Sequence, residues 1–195
     1  MAGSTKLLTS SGGGVILTPA SNIASDVTVN IPSVNGTLVN TGSTGQVTQT
    51  MLSTNVAGNG PAFSAYPSGT QTVTSGVYTK VACNTKEFDT ASAFDSTTNY
   101  RFTPLVSGYY QVNGLVGTNG TATTSCAAAI YKNGSAAKYG AYIQTVNADS
   151  SVSALIYMNG TTDYLEMYAY VSATVASIGN GASSTYFQAA LVRAA

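Results

Sequence analysis

Apolar and polar residues alternate over short stretches along the last two-thirds of the chain. From Pro61 onward these stretches recur about every 8–12 residues, with turn-forming residues between them. The alternation is clearest over residues 164–171, where one face carries Leu165, Met167, Ala169 and Val171 and the other carries Glu166, Tyr168 and Tyr170. Further candidate strands are 79–83, 108–112, 127–132, 151–158 and 185–193. About ten strands and no long helix predict a two-sheet β-sandwich or jelly roll.

Two Asn-Gly pairs follow candidate strands in this region. Asn133-Gly134 comes after 127–132, and Asn159-Gly160 comes after 151–158. Asn-Gly is the preferred sequence of two-residue hairpin turns, since both positions adopt positive φ. We therefore predict a hairpin at each pair.

Residues 1–60 show a different pattern. Short β-like runs occur at 15–17, 26–31 and 37–39, and Val47, Met51 and Leu52 have helical spacing. These elements are too few to close a core alone. We expect their apolar faces to be buried in a threefold bundle or on a larger partner, with disorder as the alternative. Gly58-Asn59-Gly60-Pro61 marks the predicted boundary between segment 1–60 and domain 61–195.

Charge is scarce in this chain. Only 7% of residues are charged, against about 25% in an average soluble protein, and seven basic residues balance seven acidic ones. Such a chain has no field to attract nucleic acid or an anionic membrane. Its polarity comes from Ser, Thr, Asn and Gly, and 13 Tyr residues supply most of the aromatic surface. This composition favours a β-protein that buries much of its surface against copies of itself.

The N-terminal residues show no signal-peptide pattern, and no stretch is apolar enough for a transmembrane helix. We therefore expect synthesis and assembly in a cytoplasm, without membrane insertion. In that compartment Cys83 and Cys126 are expected to be reduced and buried.

Little in the sequence indicates catalysis. The chain contains no His, which removes the commonest general base and metal ligand. Glu87, Asp89 and Asp95 are close enough in sequence to suggest a Ca²⁺ site or a hydrolytic pair. The competing interpretation is a solvated loop in which Asp95 caps a turn. We expect no enzyme activity, no cofactor and no bound metal, and we interpret the Asn-Gly-Ser/Thr sequons at Asn35, Asn119, Asn133 and Asn159 as turns.

Three stretches of the domain resemble the globular heads of complement C1q, which are relatives of tumour necrosis factor. The most specific stretch is 94–110, FDSTTNYRFTPLVSGYY, with an aromatic-Asp pair, a Thr-rich turn, a Phe-Thr strand and a Gly-x-Tyr strand start. The other two are 162–167, TDYLEM, and 184–192, STYFQAALV. The resemblance covers about residues 63–195 and implies a C1q/TNF-like jelly roll.

The N-terminal part has a second resemblance. Residues 31–39, IPSVNGTLV, followed by Thr41-Gly42 and residues 45–47, resemble a segment that recurs in phage tail-fibre and virion-associated proteins. A C1q-like head that begins directly after this segment is also an arrangement found in phages. This resemblance implies a virion structural protein in which residues 1–60 dock onto other virion proteins.

Together the two resemblances imply a homotrimer with three sandwiches around one axis. Four aromatic residues are candidates for the sandwich core or the axis: Phe102, Tyr110, Tyr186 and Phe187. The loops at 117–124, 146–151 and 173–184 are candidates for contact with a host glycan or protein, because Tyr, Asn, Ser and Thr suit polar recognition.

The leading functional hypothesis is a short homotrimeric fibre on the surface of a bacteriophage virion. A tail fibre or adhesin for host attachment is slightly favoured over a capsid decoration or head fibre. The alternative is a free, lectin-like C1q module that is not attached to a virion.

Overall fold

The computed structural model describes residues 5–8, 14–17, 52–54 and 56–195. The chain divides into two compact units, Met1–Gln46 and Val47–Ala195. In the first unit, strand β1 (Thr5–Leu8) pairs antiparallel with β2 (Gly14–Leu17). The predicted strands at 26–31 and 37–39 and the helical spacing of Val47 and Met51 fall outside the described residues.

The regular secondary structure of the second unit is almost wholly β-strand. A single 3₁₀ turn, Ala57–Asn59, precedes them within the described residues. The strands, in chain order, are β3 (Ala62–Tyr66), β4 (Gln71–Thr72), β5 (Thr79–Lys80), β6 (Thr85–Asp89), β7 (Phe94–Asp95), β8 (Arg101–Phe102), β9 (Gly108–Val116), β10 (Ser125–Lys132), β11 (Ser135–Tyr139), β12 (Ser150–Met158), β13 (Leu165–Ser172), β14 (Ser177–Ile178) and β15 (Tyr186–Ala194).

Two antiparallel sheets form the sandwich. The five-stranded sheet has the order β12-β9-β15-β3-β6, with β12 paired to β9 along nine residues. The six-stranded sheet has the order β11-β10-β13-β8-β7, and β5 also pairs with β13. Strands β4 and β14 form a small third sheet. The connections β9–β10 and β12–β13 each cross from one main sheet to the other, so the all-β prediction is confirmed as a jelly roll.

The alternating sequence pattern decides which side chains enter the core between the sheets. In β13 the inward residues are Leu165, Met167, Ala169 and Val171, as predicted, and all four are fully buried. In β15, Phe187, Ala189 and Leu191 are buried in the same way. At the centre, the ring of Phe63 stacks on Phe94 and Phe102, at centroid distances of 4.6 and 4.5 Å, and meets Phe187 edge-on at 5.0 Å.

The two Asn-Gly pairs have different structures. Asn133 and Gly134 have positive φ angles of 53° and 77° and join β10 to β11, so the first predicted hairpin is confirmed. The second prediction is wrong, because β12 pairs with β9 whereas β13 pairs with β10 in the other sheet. The Asn159 side chain instead caps the loop between sheets, where Oδ1 accepts hydrogen bonds from the N–H groups of Thr161, Thr162 and Asp163.

Residues before Pro61 pack on the last strand of the head. Gly60 lies so close to β15 that a Cβ atom there would stand 2.4 Å from Leu191 Cδ2. The N–H of Leu191 donates to the Pro61 carbonyl at 3.0 Å, and Asn59 Nδ2 donates to the Leu52 carbonyl at 2.9 Å. The connector, described at residues 52–54 and 56–60, therefore contributes packing to the same unit as the head.

Candidate functional site

Three of the four aromatic candidates lie inside one sandwich. Phe102, Tyr110 and Phe187 are completely buried, and the rings of Phe102 and Tyr110 meet edge-on at 5.6 Å. The Tyr110 hydroxyl donates to the Val106 carbonyl at 2.8 Å, which satisfies its polar end. Tyr186 lies apart from them, half-buried on the outer side of the five-stranded sheet, opposite Leu115.

That outer side, here called the five-stranded face, combines apolar ends with a polar centre. The register of β12, β9 and β15 places these side chains on it: Tyr109, Gln111, Asn113, Leu115, Ser153, Leu155, Tyr157, Tyr186 and Gln188. The rings of Tyr109 and Tyr157 contact each other at 5.5 Å, and both they and Leu155 are exposed. Exposed apolar groups grouped on one face mark interaction surfaces more often than isolated ones do.

Neutral hydrogen bonds organise the centre of the five-stranded face. Gln111 Nε2 donates to Ser153 Oγ at 2.9 Å and to Asn113 Oδ1 at 3.2 Å, and Ser153 Oγ donates to Asn113 Oδ1 at 2.8 Å. Strands β9 and β12 contain no charged residue. A second protein surface could therefore cover this centre without burying an unpaired charge.

The outer side of the six-stranded sheet, here called the tyrosine face, is different. Six tyrosines from five separate segments lie on it: Tyr78, Tyr131, Tyr139, Tyr142, Tyr168 and Tyr170. Tyr131 and Tyr168 stack with centroids 3.8 Å apart and planes 17° apart. The other four form a row of tilted rings, Tyr139–Tyr78–Tyr170–Tyr142, with centroid distances of 5.4, 5.4 and 5.6 Å.

Two alanines on the strand beneath make room for these rings. Ala129 lies between Tyr139 and Tyr168 in the register of the sheet, and Ala127 lies beside Tyr170. Both alanines are buried. A larger residue at either position would displace the tyrosines from the sheet.

Two pairs of opposite charges lie on this side of the sheet, Lys80 with Glu166 and Arg101 opposite Asp95. Lys80 forms a salt bridge with Glu166, whose side chain is nearly buried. Glu166 thus has the predicted outward orientation, but packing removes it from solvent. Burial raises the pKa values of Tyr78, Tyr131 and Tyr168, because it disfavours the charged phenolate.

The carboxylates that suggested a metal or hydrolytic site are engaged in local contacts. Asp95 accepts hydrogen bonds from the N–H groups of Thr97, Thr98 and Asn99, and these bonds hold its pKa well below the usual range. Asp89 accepts from the N–H groups of Ala93 and Phe94. The turn-capping interpretation of Asp95 is therefore confirmed. Within the described ranges, no three His, Cys, Asp or Glu residues converge as a metal site.

Asp163 connects two loops at one end of the sandwich. Its carboxylate accepts from Asn133 Nδ2 at 2.7 Å and from the N–H of Asn159 at 2.9 Å, and it pairs with Lys132 Nζ at 2.8 Å. Burial alone would raise the pKa of Asp163, but these hydrogen bonds and the Lys132 charge lower it. The carboxylate therefore links the hairpin turn after β10 to the loop that follows β12.

The three candidate loops meet at one end of the sandwich. Thr118 bridges to Ile178 and Thr121 to Val175, which joins loop 117–124 to loop 173–184. Thr118 Oγ1 donates to the Ala148 carbonyl at 3.3 Å, which brings loop 146–151 to the same place. The structure therefore unites loops that the sequence could only list separately.

Both cysteines are buried thiols, Cys83 within the core and Cys126 on β10. Burial raises the pKa of Cys83 to about 12, and burial with the nearby Asp149 charge raises that of Cys126 to about 11. At neutral pH they are protonated and behave as small apolar side chains.

The sequence alone did not identify the tyrosine face. Its one local signal was the outward pair Tyr168 and Tyr170 in the alternation of β13. The other rings come from segments up to about ninety residues away, so only the strand register brings them together.

The head has the fold of several solved structures at low sequence identity. It is similar to the globular domain of the zebrafish complement 1qA protein, with a TM-score of 0.53 and 17% identity over 69% of this chain and 99% of that chain. Murine APRIL gives a TM-score of 0.50 and 10% identity over 68% and 98% of the two chains. The vertex protein P5 of phage PRD1 gives 0.53 and 18% over 68% and 97%. No protein-family model and no curated protein matches the sequence.

These likenesses and the strand order define the head as a C1q/TNF-like jelly roll, as the sequence resemblance implied. In the described part of the chain, no helix is both long enough and apolar enough to span a bilayer.

Proposed function

We propose that this chain is a structural protein of a phage virion, a homotrimeric short fibre whose C-terminal head is exposed on the particle. The observation that carries the proposal is the head fold, which matches the PRD1 vertex protein P5 over 97% of that protein's chain. The phage-like segment at 31–39 supports the same conclusion independently. Neither argument depends on the other.

The trimer is supported by the five-stranded face. A threefold ring forms when one surface of each copy contacts a different surface of the next copy. In such a contact the exposed Leu155, Tyr157 and Tyr109 gain apolar burial, and the neutral amide centre brings no charge into it. The Arg193 side chain, opposite Tyr109, lies at the end of this face rather than at its centre. Tyr186 belongs to this face, so it is the one of the four candidates that we assign to the trimer contact. We assign Phe102, Tyr110 and Phe187 to the sandwich core.

Residues 1–60 serve in this proposal to attach the trimer to other virion proteins. A chain truncated to residues 61–195 should remain soluble and melt cooperatively but should not bind to particles that lack the protein. Because connector residues pack on Leu191, this head should melt at a slightly lower temperature than the full chain. Aggregation of the truncated head would contradict the division into anchor and head.

Two positions on the particle have separate support. The segment at 31–39 resembles tail-fibre proteins and favours the tail, whereas the likeness to a vertex protein favours the capsid. The test is purification of particles followed by electron microscopy with a label on the C-terminus. Label on the tail or on the shell assigns the position, and protein found only in the culture supernatant would favour the free lectin-like module instead.

We further propose that the protein is not an enzyme. The carboxylates considered for catalysis are engaged in local hydrogen bonds, since Asp89 and Asp95 accept from backbone N–H groups and Glu87 accepts from the Ser64 hydroxyl. Incubation of the purified trimer with host envelopes, followed by an assay for reducing sugar, tests this. Release of sugar that a heat-unfolded sample does not give would refute it.

A further inference from the structure

We propose that the tyrosine face is a binding site for a neutral oligosaccharide. This inference deepens the proposed function, because it names the ligand class of the exposed head and places the ligand on the outer side of the six-stranded sheet. The apical loops considered from the sequence are a different surface.

The contacts between the rings support this ligand. Neighbouring centroids in the series Tyr139–Tyr78–Tyr170–Tyr142 are 5.4, 5.4 and 5.6 Å apart, so the four rings touch and form one continuous aromatic surface. A bound oligosaccharide can therefore contact several rings at once. Sugar rings present C–H groups that pack on aromatic side chains and hydroxyls that bond to phenols.

The four tyrosine rings are accessible to a ligand and are also held in place by their neighbours. Tyr139 and Tyr142, at the two ends of the row, are 62% and 52% exposed, whereas Tyr78 and Tyr170 between them are partly buried. Contacts between neighbouring rings hold all four, and the Tyr142 hydroxyl donates to Ser125 Oγ at 3.0 Å. Rings ordered in advance lose little conformational entropy when a ligand binds.

The hydroxyl groups and the balanced charges of the tyrosine face also suit a neutral sugar ligand. In the described part of the chain, the hydroxyls of Tyr78, Tyr131, Tyr139 and Tyr168 have no hydrogen-bond partner, so they can donate to and accept from sugar hydroxyls. The charges on this side of the sheet balance, because Lys80 pairs with Glu166, and Arg101, which stacks on Tyr164, has Asp95 opposite it on the neighbouring strand. A polyanion would gain no Coulombic attraction here, which favours a neutral ligand over nucleic acid or an acidic polysaccharide.

Tyrosine fluorescence gives a direct test, since the chain has 13 Tyr and no Trp to mask them. The full-length protein is titrated with cellohexaose, mannohexaose and chitohexaose, and calorimetry measures the same affinities. We expect a saturable change with at least one of these probes at concentrations up to about 10 mM. Short probes exclude avidity, so the oligomeric state does not alter the affinity per site.

The variant Tyr139→Ser/Tyr142→Ser should weaken binding about tenfold or more, because it removes the two exposed ends of the row. Tyr139→Phe keeps the ring and should weaken binding less. Phe88→Ser, at an exposed aromatic residue on β6 that is not among the residues defining either named face, is the matched control and should leave the affinity unchanged. Thermal melting of each variant establishes that it is folded.

Four results would overturn the inference. Three of them are the absence of binding to all three probes, equal loss of affinity in the Phe88→Ser control, and a change of sedimentation in the Tyr139→Ser/Tyr142→Ser variant, which would make this face a contact between copies. Preferential binding of a hyaluronan hexasaccharide would also overturn it, since that ligand is anionic. None of these results bears on whether the protein co-purifies with particles, so the proposed function is tested separately.

Discussion

The two outer sheet faces of the head are both rich in tyrosine, yet they are built differently. On the five-stranded face, aromatic and aliphatic side chains lie at the ends of long strands, and a network of Gln111, Asn113 and Ser153 occupies the centre. On the tyrosine face the rings contact one another above two small alanines, and several of the tyrosine hydroxyls have no hydrogen-bond partner in the described part of the chain. The first arrangement suits a broad contact with another protein, and the second suits a narrow polar ligand.

The comparison shows that residue type alone does not assign a surface. Tyr109 and Tyr139 are both exposed tyrosines on sheet surfaces. What distinguishes them is their neighbours, since Tyr109 meets one ring beside an amide network and Tyr139 begins a row of four rings.

The largest effect on stability should come from the residue just beneath the five-stranded face. Tyr110→Ala removes a fully buried ring and the hydrogen bond to the Val106 carbonyl, so it should cost about 3–5 kcal/mol of unfolding free energy. Tyr109→Ala removes a ring that is 42% exposed and should change the monomer's stability far less. Thermal melting of both variants measures the difference. Equal losses would mean that the register of β9 is off by one residue.

The largest effect on assembly should come from a charge on the five-stranded face. Leu155→Asp would place three carboxylates in the contacts of a trimer, and each would lose its hydration there. We expect sedimentation to show the 19.8 kDa monomer instead of a trimer. Tyr139→Asp is the matched variant, since Leu155 and Tyr139 are 55% and 62% exposed, and it should remain trimeric. The opposite outcome would exchange the roles of the two faces.

A smaller effect is expected at Asp163, which fastens together the two sheets that carry these faces. Its pKa is lower in the folded chain, so its stabilisation is fully present above the ordinary value of 3.8 and is lost as the pH falls below it. Asp163→Asn should cost about 1–3 kcal/mol at neutral pH, because Lys132 and the Asn159 N–H lose a charged acceptor. Urea unfolding at pH 7 and pH 3 checks both statements. The cost should shrink at pH 3, and a pH-independent cost would contradict the assignment.

The smallest effect is expected in alkaline solution. Burial raises the pKa of Tyr110 to about 12 and also raises that of Tyr78 on the tyrosine face. A raised pKa means that the folded state keeps the proton longer, so stability is present below the ordinary pKa of 10.0 and declines as the pH rises above it. Absorbance titration should show a group of tyrosines that ionise late, and Tyr78→Phe should remove one of them. Ionisation of all tyrosines near pH 10 in the folded protein would contradict the burial.

Residue patterns alone sufficed for much of the fold. The inward residues of β13 and β15 follow from strict alternation, since each residue on a strand points to the side opposite its neighbour. Asn133-Gly134 was predicted correctly because its turn is a local property of two residues. The same signal failed at Asn159-Gly160, where the partner of the next strand lies in the other sheet, and no local pattern specifies that choice.

What the sequence by itself determined was therefore the strand class, the face that each strand buries and the near absence of charge. Only the tertiary structure decided which strands are neighbours, and with that the two outer faces. Pairing in an antiparallel jelly roll joins residues far apart in the chain, so Tyr78 meets Tyr139 and Tyr170 although no short-range pattern links them. The same pairing placed Phe102, Tyr110 and Phe187 in the core and left Tyr186 outside, because the side of β15 that meets the second sheet is the side of Phe187.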